Sequence, residues 1–289
     1  MSNPAAQTAL GPMIVVAADQ YESAPLVHDP WAHRLLPAAG RMATALTRWS
    51  AVRRALIAAT EKKMLGGWAS FLCRKRYIDD QLVSAVPRGI DAVVILGAGY
   101  DTRAYRLPEL AGIPVCEVDL CANIERKAAA VQRCFGRVPP GVTLLPVDFE
   151  TDDLADSLAH KGFDRGMRTF YVWEAVTQYL TESAVRKTME HLAGAAPGSS
   201  LAFTFVRKDF LDGQAMYGAR SAYQDFVVKR RLWQFGLNPE EVAGFLAEYG
   251  WRETEQGGPD EYAARYLEPA GRAITASEIE RAVLAKRPV

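Results

Sequence analysis

Gly97 and Gly99 close an apolar run in VVILGAGYDTRAYRL, residues 93–107. Glycines at the end of a buried strand let backbone N–H groups approach a ligand closely. Asp101 or Thr102 can cap the helix that follows. Such a turn suits a nucleotide-like ligand, and two chemistries are open. One is hydride transfer with a dinucleotide, the other methyl transfer with S-adenosylmethionine. The dinucleotide pattern G-x-G-x-x-G asks for a third glycine where this chain has Thr102, which weakens the nicotinamide reading. A tight turn without a ligand is the plain structural alternative.

Acidic residues follow at telling places. Glu117 and Asp119 bracket the end of the next apolar run, and Glu117 lies 20 residues after Gly97. That is the spacing at which a carboxylate accepts bonds from ribose hydroxyls. Alternation along a strand points both acids the same way, so the pattern leaves both open. Asp148 stands beside Phe149, a pairing that suits adenine: the acid takes the exocyclic amine and the ring packs on the base. Glu174 sits in the largely apolar YVWEAVTQYL, where a carboxylate is costly unless paired. It could face the cationic amino-acid end of S-adenosylmethionine. Three acids on the carboxyl edge of successive strands describe one ligand site.

The elements that must position these residues read as alternating strands and helices, which predicts a parallel sheet covered by helices. Strands are expected at 93–96, 114–118, 142–148, 168–176 and 201–206. Thr181 caps a helix whose Val185, Met189 and Leu192 share a face, with Gly194 at its end. Residues 1–85 read as a helical N-terminal cap, with a helix start at Asp29-Pro30 and a break at Gly66-Gly67. The core is expected over 86–206, a lid insertion over 207–237, and the C-terminal part of the core over 238–289. The insertion carries Tyr217, Tyr223, Phe226, Trp233 and Phe235, rings that line an acceptor pocket or simply pack the insertion down. Asn238, Pro239, Glu240 and Glu241 open a further helix that Gly250 stops. Strand-like pieces, among them ERAVLAK, complete the chain.

LGAGYDTRAYRL, CEVDL, PVDFETDD and YVWEAVTQYL together resemble the leucine carboxyl methyltransferase-like family of S-adenosylmethionine-dependent methyltransferases. Its bacterial branch includes many uncharacterised and polyketide-tailoring O-methyltransferases. The resemblance runs from about residue 15 to the end, and GAGxDTR followed by EVD is much narrower than G-x-G. It implies an α/β protein of the class I Rossmann-like methyltransferase fold. That fold has a seven-stranded, mostly parallel sheet with its last strand antiparallel, helices on both faces and a helical lid. It implies cofactor contacts at Gly97, Ala98, Gly99, Asp119, Leu120, Asp148, Phe149 and Glu174. An arginine in CRKRYIDD is expected to grip the methionine carboxylate; Arg74 fits best by spacing and Arg76 is the second candidate. Cys121 stands where the family usually has proline, a change in local stiffness and not in cofactor.

Methyl transfer from a sulfonium is an in-line displacement, in which a protein mainly aligns the nucleophile and excludes water. A carboxylate acceptor is already ionised, whereas a hydroxyl usually needs a proton acceptor. Of the four histidines, His160 and His191 read as ordinary. His28 and His33 flank DPWA in the cap and are weak catalytic candidates. Arg207 and Lys208 could pair with an anionic acceptor. The expected reaction is therefore O-methylation of a small-molecule carboxylate or phenol, in secondary metabolism. The alternatives are methylation of a protein C-terminal carboxylate, or cofactor binding without catalysis.

Lys+Arg and Asp+Glu both total 34, so no excess of positive charge points to nucleic acid. The four cysteines form no C-x-x-C pair, and no metal site is expected. Scattered cysteines fit a reducing cytosol. The N-terminus makes a poor signal peptide, and no apolar run is long enough to span a membrane. A soluble cytoplasmic protein with a small-molecule acceptor is expected. Oligomeric state is left open, a homodimer included.

Overall fold

The computed structural model describes residues 10–289, so the first nine residues of the expected cap lie outside it. Seven strands form one sheet: β1 (Ala92–Leu96), β2 (Val115–Asp119), β3 (Val142–Pro146), β4 (Thr169–Trp173), β5 (Ser200–Val206), β6 (Arg252–Gly257) and β7 (Glu280–Lys286). Their order is β3-β2-β1-β4-β5-β7-β6. The first five run parallel, and β7 is antiparallel to both β5 and β6. β1, β2, β4 and β5 are buried along their whole length, as strands covered on both faces must be. β3 lies at the edge, where Pro146 is tolerated because no further strand needs its N–H.

Alternation along β1 divides the core in two. Val93 and Ile95 pack with helix α1 (Leu10–Asp19) and the long helix α5 (Gly67–Ala85). Val94 and Leu96 pack on the other face with Leu154, Val185, Met189 and Phe245. Between α1 and α5 come α2 (Ala32–Leu35), α3 (Ala38–Leu46) and α4 (Ser50–Lys63). Helix α4 has no buried residue, so it rests on the domain and does not belong to its core. Gly66 makes the break before α5, with φ +75° and no room for a Cβ, which would lie 2.4 Å from the Ser277 N atom.

Helices α6 (Arg103–Arg106) and α7 (Cys121–Phe135) follow β1 and β2; α8 (Leu154–Ala159) and α9 (Glu182–Leu192) follow β3 and β4. Thr181 caps α9 by accepting the Ala184 N–H. Asp101, not Thr102, takes the first free N–H of α6, that of Arg103, at 2.7 Å. Cys121 starts α7, a position where either cysteine or proline fits because the first N–H has no helical partner.

The 207–237 stretch contains two short helical turns, a π-helical turn at Tyr223–Lys229 and an extended return. Its rings divide by role. Tyr217 is tied to Asp209 at 2.5 Å, Tyr223 meets the edge of Phe210, and Phe235 is buried against Phe245. Phe226 and Trp233 stack at 4.7 Å and face inward. Glu241 closes on the Asn238 N–H at 3.0 Å, starting the helical segment that ends before Gly250. Among the described residues no helix is long and apolar enough to cross a membrane.

Candidate active site

A cavity of about 960 Å³ opens over the carboxyl ends of β1, β2 and β4. Chain direction out of the sheet changes between β1 and β4, the place where open α/β sheets bind ligands. Its volume is at the top of the roughly 300–1,000 Å³ range of small-molecule sites, large enough for two ligands side by side. α1, α4 and the 207–237 stretch roof it.

Gly97 and Gly99 form its floor, with φ of +72° and +43°. A Cβ on Gly97 would lie 2.2 Å from Val176 Cγ2, so both the backbone angle and the space demand glycine. The Gly97 and Ala98 N–H groups donate to Val118 O. Gly99 N–H donates to Asp119 Oδ2 at 2.6 Å, while Asp119 Oδ1 accepts from Leu120 N and Asn123 Nδ2, both at 2.7 Å. Asp119 thus fixes the turn and lines the cavity. Gly97→Ala is expected to destabilise the protein by roughly 2–4 kcal/mol through left-handed strain and overpacking, read from a denaturant midpoint.

Glu117, the acid favoured by spacing from Gly97, does not reach the cavity. It lies beneath α6 and α7, paired with Lys127 Nζ and Tyr105 OH at 2.7 Å each. Burial raises its pKa, against the pull of Lys127. Leu120, Asp148 and Phe149 line the end of the cavity next to Asp119. Asp148 accepts the Glu150 N–H at 3.0 Å, and Phe149 is buried.

The opposite end is ionic. Glu174 leaves β4 just before Ala175, which is held at φ +57° with its N–H on Thr204 Oγ1. Arg74 donates from Nε to Glu174 Oε1 at 3.1 Å and from NH1 to Glu280. Arg103 is fully buried and bonds Asp79 and Asp101; its NH2 is 2.8 Å from Glu174 Oε2. Arg106 adds Asp79 and Asp29, and Lys75 lies 3.6 Å from Asp101. This connected network sets four cations against five carboxylates. Burial works against charge on Glu174, but Arg103, Lys75 and Arg74 together lower its pKa to about 2. It is a carboxylate at neutral pH, and the acidic excess suits a ligand carrying net positive charge. Arg76 takes no part: it is exposed, paired with Asp80 at 2.8 Å.

Sequence reasoning passed over Lys75, Arg103 and Glu280. Lys75 and Arg103 carried a signal, being inside motifs quoted for the cofactor site. Glu280 lay in ERAVLAK, read only as a strand, and nothing local shows that β7 brings it to the cavity.

Among the described residues no histidine lines the cavity. His28 is exposed and His33 lies 2.7 Å from Thr44 Oγ1, so neither weak catalytic candidate is placed to act. Arg207 is paired with Asp209 and Glu278, Lys208 with Asp212, all outside the cavity. His191 sits on the far face of the sheet, where burial and Arg165 lower its pKa from 6.5 to about 4. A depressed histidine stabilises the fold above its unfolded pKa, and that contribution is lost as pH falls from about 6.5 through about 4. His191→Gln is expected to flatten the melting profile in that window, where wild type loses up to about 3 kcal/mol.

The stacked pair Phe226 and Trp233 lines the cavity together with Leu56 and Phe71. Lys63 of α4 reaches Asp225 at 2.6 Å and lies over the Phe226 ring, joining the two halves of the roof. Gln178, buried on the turn after Glu174, is held through its backbone O by Gln234 N–H at 2.7 Å.

The strand order, with one reversed strand inserted next to β5, is the class I methyltransferase fold. Two solved structures share it. A Thermobifida fusca protein assigned as a methyltransferase aligns with TM-score 0.57 at 16% identity, covering 82% of this chain and 89% of that one. A Galdieria sulphuraria protein assigned as a sarcosine dimethylglycine methyltransferase aligns with TM-score 0.50 at 14% identity, over 82% and 88%. A Mycolicibacterium paratuberculosis protein assigned as an S-adenosyl-L-methionine-dependent methyltransferase is 31% identical over 279 residues, 90% of this chain and 85% of its own. A Frankia alni protein of the same assignment is 29% identical over 255 residues, 85% of this chain and 82% of its own. The chain belongs to the leucine carboxyl methyltransferase family, whose model matches residues 9–193. It is an S-adenosylmethionine-dependent methyltransferase.

The cavity's donor set fits that cofactor. S-adenosylmethionine carries a sulfonium, an ammonium and one carboxylate, a net positive charge that answers the acidic excess. The floor at Gly97 is a cradle that a single Cβ would fill.

Proposed function

We propose that this methyltransferase acts on an oxygen of a small aromatic acceptor, a carboxylate or an acidic phenol. The observation that carries this reading is the roofed cavity that Phe226 and Trp233 wall and that, among the described residues, no histidine lines. The bound cofactor supplies an electrophilic methyl group. Asp119 would accept from the ribose hydroxyls, and Asp148 with Phe149 would hold the adenine. Glu174 and Glu280 would face the ammonium, and Arg103 and Arg74 hold Glu174 ionised. The rings would orient a planar acceptor and exclude water, and Gln178 lines the same cavity. A carboxylate or acidic phenol needs no histidine as base, and among the described residues none lines the cavity.

The test is formation of S-adenosylhomocysteine with benzoic acids, phenols and a leucine-ended peptide as acceptors. Turnover of the aromatic acids or phenols supports the proposal. Turnover of the peptide alone favours the second reading, methylation of a protein C-terminal carboxylate, for which the family match speaks.

A further inference from the structure

Helices α3 and α4 differ from the rest of the domain in what they show to solvent. Between them they bury only Gly40 and Thr44. Eight large hydrophobic residues are exposed among the described residues, and four of them fall within residues 42–52. Met42, Leu46, Trp49 and Val52 are exposed by 72%, 48%, 51% and 38%. Scattered exposed hydrophobics need no explanation, but neighbours on two consecutive helices mark an interaction surface. Their spacing joins them. Leu46 lies one turn after Met42 on α3. Val52 continues, at helical spacing, the stripe of Leu56, Ala59, Thr60 and Lys63 by which α4 lines the cavity.

Positive charge is concentrated on the same helices. Residues 38–63 hold six Lys or Arg and one acid, in a chain of zero net charge. That acid, Glu61, turns inward to accept the Gly66 and Trp68 N–H groups. Arg53 is paired with Glu22 and Lys63 with Asp225. Among the described residues, Arg41, Arg48, Arg54 and Lys62 have no carboxylate within ion-pair range. Arg48 lies over the Trp49 ring, 4.6 Å from its centroid, so charge and apolar surface share one place.

The combination selects the occupant. Nucleic acid would pair the cations but leave the four hydrophobic side chains in water. A second copy on a twofold axis would set these cations against their own images. An anionic lipid surface answers both features. Its phosphates meet the unpaired cations, and its interfacial layer takes the tryptophan and its apolar neighbours.

We propose that α3 and the start of α4 dock this methyltransferase on an anionic lipid surface. The two helices lie on the bilayer and do not cross it, each being too short to span. Because α4 also lines the cavity, the docked face adjoins the active site.

Co-sedimentation of the full chain with vesicles tests this, phosphatidylcholine alone against an equal mixture with phosphatidylglycerol. The protein is expected to bind the mixed vesicles about tenfold or more tightly, and raised salt should release it. Neutralising two exposed, unpaired cations, Arg54→Gln with Lys62→Gln, should weaken binding by about thirtyfold. Brominated phosphatidylglycerol should quench the tryptophan emission of the wild type. That quenching should be lost in Trp49→Phe, which still binds. Equal binding to both vesicles, or quenching unchanged in Trp49→Phe, overturns the proposal. Should the double variant fail to fold, the salt dependence and the Trp49→Phe quenching decide. Binding of soluble polyglutamate without binding of vesicles assigns the surface to an acidic protein and overturns the proposal as well.

Discussion

Asp119→Ala weakens S-adenosylmethionine binding by about a hundredfold or more, measured by calorimetry, while the protein stays folded. Two losses combine. The ribose loses an anionic acceptor, and a hydrogen bond to a charged group contributes roughly 1.5–3 kcal/mol. The glycine turn also loses its anchor, since Asp119 is the group that accepts the Gly99 N–H at 2.6 Å and ties in Leu120 and Asn123. Asp119→Asn separates the two. Its amide oxygen can still take the Gly99 N–H but brings no charge, so it should recover part of the affinity. A variant that bound the cofactor as tightly as wild type would show that the ribose lies elsewhere.

Arg103→Met is the change expected to harm stability most. Arg103 has no exposed surface and contacts Asp79, Asp101 and Glu174. Removing it leaves buried carboxylates short of a cation, at a cost of about 3–5 kcal/mol. In a protein of this size that lowers the melting temperature by roughly 10 °C. The pH dependence has a definite sign. Glu174 has a folded pKa of about 2, below its ordinary 4.5, and Asp101 is held lower still despite burial, chiefly by Arg103 and Lys75. Groups depressed in the folded state stabilise it above their unfolded pKa, and the contribution is lost as pH falls through the folded value. The stability gap between wild type and Arg103→Met should be full above about pH 4.5 and narrow as pH falls towards 2. A gap independent of pH would mean that Arg103 matters by packing alone.

Much of the fold was written in apolar runs. The five parallel strands stand where such runs predict them, because a strand covered on both faces has no polar positions to blur it. Their ends were less legible. The strand expected at 168–176 stops at Trp173, since Ala175 turns to positive φ to present Glu174. The one expected to reach Asp148 stops at Pro146. The reversed direction of β7 came from the family resemblance and not from its own residues, which read as a strand in either direction.

At the site, single-strand periodicity could not separate Glu117 from Asp119. What separates them is Lys127 and Tyr105, neighbours brought in from α7 and α6. Spacing put Arg74 first and Arg76 second, and the orientation of α5 separates them: Arg74 lines the cavity, Arg76 is exposed. The insertion was recognisable by its rings, yet nothing local marks Phe226 and Trp233 as the pair that faces inward.

Helix α4 roofs the cavity without a single buried residue and is tied to the far side by the exposed Lys63–Asp225 pair. Exposed ion pairs contribute little and weaken with salt. In the language of amide hydrogen exchange, α4 is a unit of low opening free energy resting on a rigid sheet. Its amides should exchange well before those of β1 and β4, and raised ionic strength should hasten them. If ligands enter past this helix, turnover is governed by how long that part of the roof stays shut as much as by the transfer beneath it.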